Sequence, residues 1–304
     1  DENKSLTISM ANEADCPRYI GGIVKNVQVG PSPEWIVERL KAAGQRSINN
    51  IVDISNYVLL EMGHPTHIFD FDCLGKKEIH VRRAKKGESF TTLDEQKHTM
   101  DETHLLITDG KMPVALAGIM GGLGSAVSDT TTTLLVESAY FNPVTIRKSA
   151  KNLVMSTDAS KRFERGADPD GCVPSFWRVI SMLKEFAGGE LISGMVDQYP
   201  NPIKTASILM RRSELDIVLG VKIDNIEVDR ILSGLGIVFS NQVDNWECIV
   251  PTYRPDITRE IDLIEEIARI HGYDSIPSDE AIYGTFRYQH PDPEHNLNAI
   301  RTTL

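Results

Sequence analysis

The chain has 304 residues, 41% hydrophobic and 25% charged, with a formal net charge of −11. This length predicts about two domains, each able to bury its own core. No run approaches the ~18 apolar residues of a transmembrane helix, and the acidic balance excludes a surface that is basic all over. The first residues lack a signal-peptide pattern, so a cytoplasmic protein is expected. Cys16, Cys73, Cys172 and Cys248 are far apart without a C-x-x-C pair, which signals neither a zinc site nor a redox motif.

In chain order, Ser32 as N-cap with Pro33 in the first turn predicts a helix closed at Gly44. Residues 51–61 are apolar and β-branched, and fit a strand or a buried helix equally. Short alternating runs at 79–83, 89–93, 104–108 and 113–117, parted by turn residues, predict a sheet-rich domain. A strand over 134–137 and helices over 143–153 and 174–187 follow, the last closed by Gly188-Gly189. Pro200 and Pro202 mark a linker, which places one domain at 1–197 and a second at 203–277, with 278–304 as a linker or the start of a further domain.

The second domain reads as a helix over 213–219, a helix opened by a capping box at Asp224 and Glu227, a hairpin around 240–245, and an acidic helix from about Thr258. That order resembles a winged helix. The fold class expected is therefore α+β: a sheet-rich mixed domain followed by a small winged-helix-like α+β domain.

On the last helix Ile257, Ile261, Ile264 and Ala268 form the expected core stripe, while Asp262, Glu265 and Glu266 share the opposite face within reach of Asp256. Oxygen-only clusters suit a hard cation such as Mg²⁺. An ordinary solvated acidic face fits the same residues, because the helix dipole favours acids in a first turn.

Two basic islands, at 76–86 and 147–165, tilt this acidic chain toward a phosphate-bearing partner. The glycines at 118, 121, 122 and 124 lack the Gly-Lys-Ser/Thr of a phosphate loop and the spacing of a dinucleotide fingerprint. They offer instead backbone that a ligand can approach closely, or simply a tight turn. His64 and His67 with Asp70 and Asp72 read as a surface turn, and no G-x-S-x-G nucleophile signature is present.

Five segments then carry a family resemblance: Arg46-Ser-Ile-Asn-Asn-Ile-Val-Asp-Ile-Ser-Asn-Tyr57, His64-Pro-Thr-His-Ile-Phe-Asp70, Ala115-Leu-Ala-Gly-Ile-Met-Gly-Gly122, Ser156-Thr-Asp-Ala-Ser-Lys-Arg-Phe-Glu-Arg-Gly166, and residues 254–273. Together they resemble the β subunit of bacterial phenylalanyl-tRNA synthetase, over about 31–277. The family's β subunit is longer, so a central piece of it is expected.

The resemblance implies that the first domain edits tRNA(Phe) mischarged with tyrosine, by hydrolysis. An apolar synthetic pocket rejects an added hydroxyl only about a hundredfold, whereas a site that binds the hydroxyl discriminates far better. It implies Glu137 as the reader of that hydroxyl, Gly121 and Gly122 lining the slot, and Thr157 and Ala159 shaping its wall. Arg46 and His67 would hold the terminal adenosine and the ester, and Asn56 the attacking water. His67 is left open between base and orienting group, and no covalent nucleophile is expected.

Asp256, Asp262, Glu265 and Glu266 fall on positions the family uses for Mg²⁺ shared with the α subunit, ATP being used only by the whole enzyme. The partners implied are the α subunit, in an α₂β₂ tetramer, and tRNA(Phe), with no membrane. The alternative is a non-catalytic module that binds tRNA and the α subunit.

Overall fold

The computed structural model describes residues 6–242, 244–277 and 293–303. In chain order its elements are β1 (Thr7–Met10), β2 (Arg18–Lys25), α1 (Glu34–Ala42), α2 (Asn50–Met62), β3 (Thr66–Asp70), β4 (Glu78–Arg83), β5 (Glu88–Thr91), β6 (Lys97–Met100), β7 (Leu105–Thr108), β8 (Pro113–Leu116), β9 (Met120–Gly121), β10 (Leu134–Tyr140), α3 (Pro143–Asn152), α4 (Asp158–Phe163), α5 (Cys172–Ala187), β11 (Glu190–Leu191), β12 (Val196–Gln198), β13 (Ser207–Arg211), α6 (Arg212–Leu219), α7 (Asn225–Gly234), β14 (Val238–Gln242), β15 (Asn245–Ile249), α8 (Glu260–His271) and α9 (Pro293–Thr303). The architecture is α+β, and no helix among the described residues is long and apolar enough to cross a membrane.

Contacts divide the chain into two compact units. The first takes in the chain up to Ile208 with Gly236–Val238 and Ile249–Thr258, and the second Leu209–Leu235, Phe239–Cys248 and the chain from Arg259. Residues 278–292, part of the expected 278–304 segment, lie outside the described residues.

Two sheets build the first unit, one in the order β1-β4-β7-β8-β9 and one in the order β11-β2-β10-β3, with β12 also on β2. Strands β2 and β10 are buried along nearly their whole length, so both faces of the second sheet are covered. Alternation sorts their side chains. Tyr19, Ile23, Phe69, Leu135 and Ala139 join the core shared with the first sheet, whereas Ile20, Val24, Ile68, Leu134 and Val136 join the core under α1, α2 and α5.

Gly21 and Gly22 of β2 allow these close approaches. A Cβ on Gly21 would stand 2.8 Å from Leu6, and one on Gly22 2.6 Å from Phe176 on α5.

The 51–61 ambiguity resolves as α2, capped by Asn49, whose side chain accepts from Val52 N, and closed by left-handed Gly63. Ser32 is not the cap of α1, which has no side-chain cap; its Oγ donates to Asp53 at 2.5 Å. Strands β2 and β3 were not anticipated, and the His64–Asp70 surface turn is corrected: this segment is β3 and its approach, with His64, Phe69 and Asp70 buried.

In the second unit α6, α7, the β14/β15 pair and α8 surround Leu215, Val228, Ile231, Leu232, Trp246, Leu263, Ile264 and Ile267. Trp246 Nε1 donates to Asp229 at 2.7 Å, satisfying its buried indole. The order matches the winged-helix-like expectation, with β13 added to give a sheet β13-β15-β14. The stripe on α8 is rotated from the expected one: Leu263, Ile264, Ile267 and Ala268 are buried together with Glu266, while Ile261 is exposed.

Candidate active site

Strand register sets the site. In the antiparallel pairs Glu137 stands opposite Gly21 on β2 and opposite His67 on β3, so the Glu137 and His67 side chains share the sheet face that looks toward the other sheet. Glu137 is 5% exposed, and its Oε2 accepts a 2.6 Å hydrogen bond from the hydroxyl of Tyr19, itself fully buried. Its Oε1 takes no hydrogen bond from a described residue, and the side chain forms part of the wall of a hollow of about 60 Å³. On a comparable measure one water needs roughly 10–15 Å³, so the hollow admits a few non-hydrogen atoms.

Burial pushes the Glu137 carboxyl up to about 7, opposed by the Tyr19 bond, which favours the ionised form. Burial pushes the Tyr19 phenol well above its ordinary range, so it stays a donor.

The hollow adjoins a cleft of about 640 Å³, with His67, Met120, Gly121 and Ala159 lining both. His67 is held by geometry rather than hydrogen bonds: its ring meets Phe69 edge-on at 4.4 Å and lies over Gly121, where a Cβ would stand 2.6 Å from its Cε1. Burial lowers its pKa to about 4, so the ring is neutral at physiological pH. A group that weakly basic orients a ligand better than it takes a proton.

Arg46, Asn56, Thr157 and Ala159 all line the cleft. The loop carrying Arg46 is clamped by buried Asp53, which accepts from Ser47 Oγ at 2.5 Å and Ile48 N at 2.8 Å. Arg46 itself is exposed and carries no ion pair to a described residue. Ser55 Oγ donates to Thr66 O at 2.8 Å, fixing α2 to β3 just before His67. Thr157 caps α4 by accepting from Ser160 N and donates to Ile119 O at 2.9 Å, so it places Ala159 on the wall.

Gly122 departs from its expected place. It lines neither space, its N–H donates to Val114 O at 2.9 Å, and a Cβ there would meet that oxygen and the Phe90 ring. Sheet pairing has taken its backbone donor. Gly118, at φ 66°, makes the left-handed turn into β9 instead.

The expected metal ligands do not converge. Among the described residues no group of three or more His, Cys, Asp or Glu could hold a metal ion. Asp256 Oδ2 takes Arg254 at 2.6 Å, Asp262 Oδ1 takes Arg259 at 2.9 Å, and Glu266 Oε2 takes Arg269 at 2.6 Å. Glu265 is exposed while Glu266 is buried, so the two do not share one solvated face. Carboxylates spent on guanidinium groups do not fit a magnesium site.

The two basic islands also differ. In the first, Lys76, Lys77, Arg82 and Arg83 each face a carboxylate. In the second, among the described residues, Lys148, Lys151, Lys161 and Arg165 face none, and the adjoining Thr157, Asp158 and Ala159 line the cleft.

Tyr19 is the site residue that sequence reasoning missed; its signal was the run Arg18-Tyr-Ile-Gly-Gly-Ile-Val-Lys25, a buried strand interrupted by two glycines.

A double-sheet body with a polar-floored cleft defines a class with known relatives. The family described as the B3/4 domain matches residues 15–188, and the tRNA synthetase B5 domain matches 208–273. The chain belongs to the B3/4 domain family.

It is similar along most of its length to phenylalanine–tRNA ligase β subunits. That of Protochlamydia amoebophila (strain UWE25) is 44% identical over 284 residues, 93% of this chain and 36% of the relative. That of Geobacter sulfurreducens is 46% identical over 274 residues (90% and 34%), and that of Thermotoga maritima 44% over 278 (91% and 35%). The chain spans about a third of the length of these relatives.

Proposed function

We propose that this chain serves protein biosynthesis as part of a phenylalanine–tRNA ligase β subunit, and that its first unit hydrolyses tyrosine from mischarged tRNA(Phe). One observation carries the reading: Glu137, a buried carboxylate without a cationic partner among the described residues, lines a hollow that adjoins a large cleft and has in Oε1 an acceptor that no described residue occupies. A phenolic hydroxyl in that hollow would donate to Oε1; phenylalanine would leave the oxygen unpaired, which costs far more than a missing contact between apolar groups.

The tRNA end would enter through the cleft, with exposed Arg46 toward its phosphates or terminal base and the unpaired lysines of 148–161 toward its backbone. Neutral His67 orients the ester, and Asn56 places the water. The leaving group's own ribose hydroxyl assists, so the protein contributes position rather than a nucleophile. The α subunit and tRNA(Phe) are the partners on this reading, in an α₂β₂ tetramer. ATP and Mg²⁺ belong to the synthetic reaction of the whole ligase, and the carboxylates of 256–266 carry no step here.

The test compares hydrolysis of Tyr-tRNA and Phe-tRNA by this chain, alone and with the α subunit. Glu137→Ala is expected to lower the tyrosine preference by about a hundredfold or more. An unchanged preference refutes the assignment of Glu137.

A further inference from the structure

Tyr19 places a phenol of the protein itself on the carboxylate assigned above to a phenol of the substrate. It stands on β2 opposite Ala139, one pleat from the Gly21–Glu137 pair, so its ring reaches Glu137 diagonally across the sheet.

The bond has a directional consequence. A carboxylate with both oxygens free can swing about its last torsion, which is broad and two-fold for glutamate. Bonded through Oε2 at 2.6 Å to a fully buried phenol, it keeps one orientation and one remaining acceptor.

We propose that Tyr19 is a specificity-determining positioning residue: its hydroxyl holds Glu137 by Oε2 so that Oε1 alone is presented to the phenolic oxygen of a tyrosyl ester. The proposal rests on the editing role given to Glu137 and deepens it.

The other groups facing Glu137 do not supply this function. From β3 comes His67, neutral because burial lowers its pKa to about 4. Ahead of β2 lies Cys16, whose thiol burial raises well above its ordinary range. The first sheet contributes Ile107, Ala115, Leu116 and Met120, and α4 contributes Phe163, none of which ionises. Tyr19 is thus the one neighbour of Glu137, among the described residues, that hydrogen-bonds its carboxylate. Its removal raises the cost of ionising Glu137 as well as freeing its rotation.

The experiment uses the whole α/β enzyme and follows hydrolysis of Tyr-tRNA and Phe-tRNA between about pH 5.5 and pH 9, with spontaneous hydrolysis subtracted. Tyr19→Phe removes one oxygen and leaves the ring volume in place. The tyrosine preference at neutral pH is expected to fall about tenfold, as for loss of a charge-assisted hydrogen bond. The acid limb of Tyr-tRNA hydrolysis should move upward by about one pH unit, and the preference should recover toward the alkaline end.

An unchanged preference with an unmoved limb overturns the proposal. Glu137→Ala, which removes both acceptor oxygens, measured beside it, separates the two failures. If it abolishes the preference while Tyr19→Phe does nothing, the reader stands and the positioning role falls; if it too leaves the preference intact, the editing reading itself falls. Should Tyr19→Phe fold poorly, 3-fluorotyrosine placed at position 19 supplies a more acidic donor with the bond retained. The limb should then move downward, and an unmoved limb again overturns the role.

Discussion

Glu137 on β10 and the carboxylates of α8 are the same chemical group under opposite rules. On α8, Asp262 and Glu266 each lie three residues from an arginine and bond it, Asp262 to Arg259 and Glu266 to Arg269. Their charge is answered locally by helix spacing, as i, i+3 pairs are. Glu137 has no such partner: its one hydrogen bond to a described residue comes from a neutral phenol, inside a core. A carboxylate left without a cation in a buried place is expensive to ionise and available to a ligand; one clasped by arginine is neither. Partner chemistry, not the number of acids, separates a candidate site from a structural face.

The largest test of that contrast is thermodynamic. Folding raises the Glu137 pKa from the ordinary 4.5 to about 7, so between these values the folded state binds more protons than the unfolded state. Stability from this group is fully present below about pH 4.5 and is lost as pH rises through 7. Glu137→Gln abolishes that loss, and its stability relative to the parent should grow across the window to about 3 kcal/mol at pH 8. Urea unfolding at several pH values measures it. The lowered pKa values of His64 and His67, each about 4, work the other way: their contribution is present above about 6.5 and lost as pH falls through 4. Both variants share those terms, so the difference curve isolates Glu137. A flat difference would mean that Glu137 is ionised as easily as the α8 acids.

A smaller effect is expected at the neighbour of Glu137. Gly121→Ala brings a Cβ to 2.6 Å from the His67 ring, which is packed between that glycine and Phe69. Overpacking of this kind costs about 1–3 kcal/mol, and the ring must leave its place. Thermal unfolding should show the loss, and His67 ring resonances in NMR should shift. Unperturbed resonances with native stability would show that His67 is not held by contact.

How far the sequence reached can be judged from the same residues. Strands β4 and β5 were legible because half-buried strands alternate, β7 and β8 because turn residues bracket short apolar runs although both strands are buried nearly throughout, and α5 because its apolar stripe and Gly188 obey helix periodicity. Strand β2 was not legible: it is buried on both faces, so it lacks alternation, and Gly21-Gly22 looks like a turn until Leu6 and Phe176 are seen pressing on it. Strand β3 was hidden by His64-Pro65, which reads as a turn although the chain enters the strand immediately afterwards. The positions of Glu137, His67, Arg46, Asn56 and Ala159 came from family resemblance. Periodicity alone does not say that a glutamate within a strand faces a hollow, because that depends on the register with β3 and on the opposite sheet. On α8, the sequence placed Glu266 with the solvated acids, but the helix is rotated so that its stem lies in the core.

The smallest expected effect lies on α8, and its smallness is the informative outcome. Asp262 Oδ2 accepts from Arg259 N at 2.9 Å and its Oδ1 from the Arg259 guanidinium, with that arginine largely in solvent. Asparagine keeps an oxygen for the backbone N–H and weakens a screened charge pair with Arg259, so Asp262→Asn should move the melting temperature by no more than about 1–2 °C. Millimolar Mg²⁺ offers the complementary measurement. A cation bound at a hundred times its dissociation constant stabilises a fold by about 2.7 kcal/mol, a shift of several degrees. If the arginine pairs describe α8 correctly, adding Mg²⁺ to the chain alone leaves its melting curve in place, and Asp262→Asn makes no difference to that result. A shift of several degrees that disappears in Asp262→Asn would mean that the metal displaces arginine from these carboxylates, and the division between answered acids on α8 and unanswered Glu137 would fail at its first term.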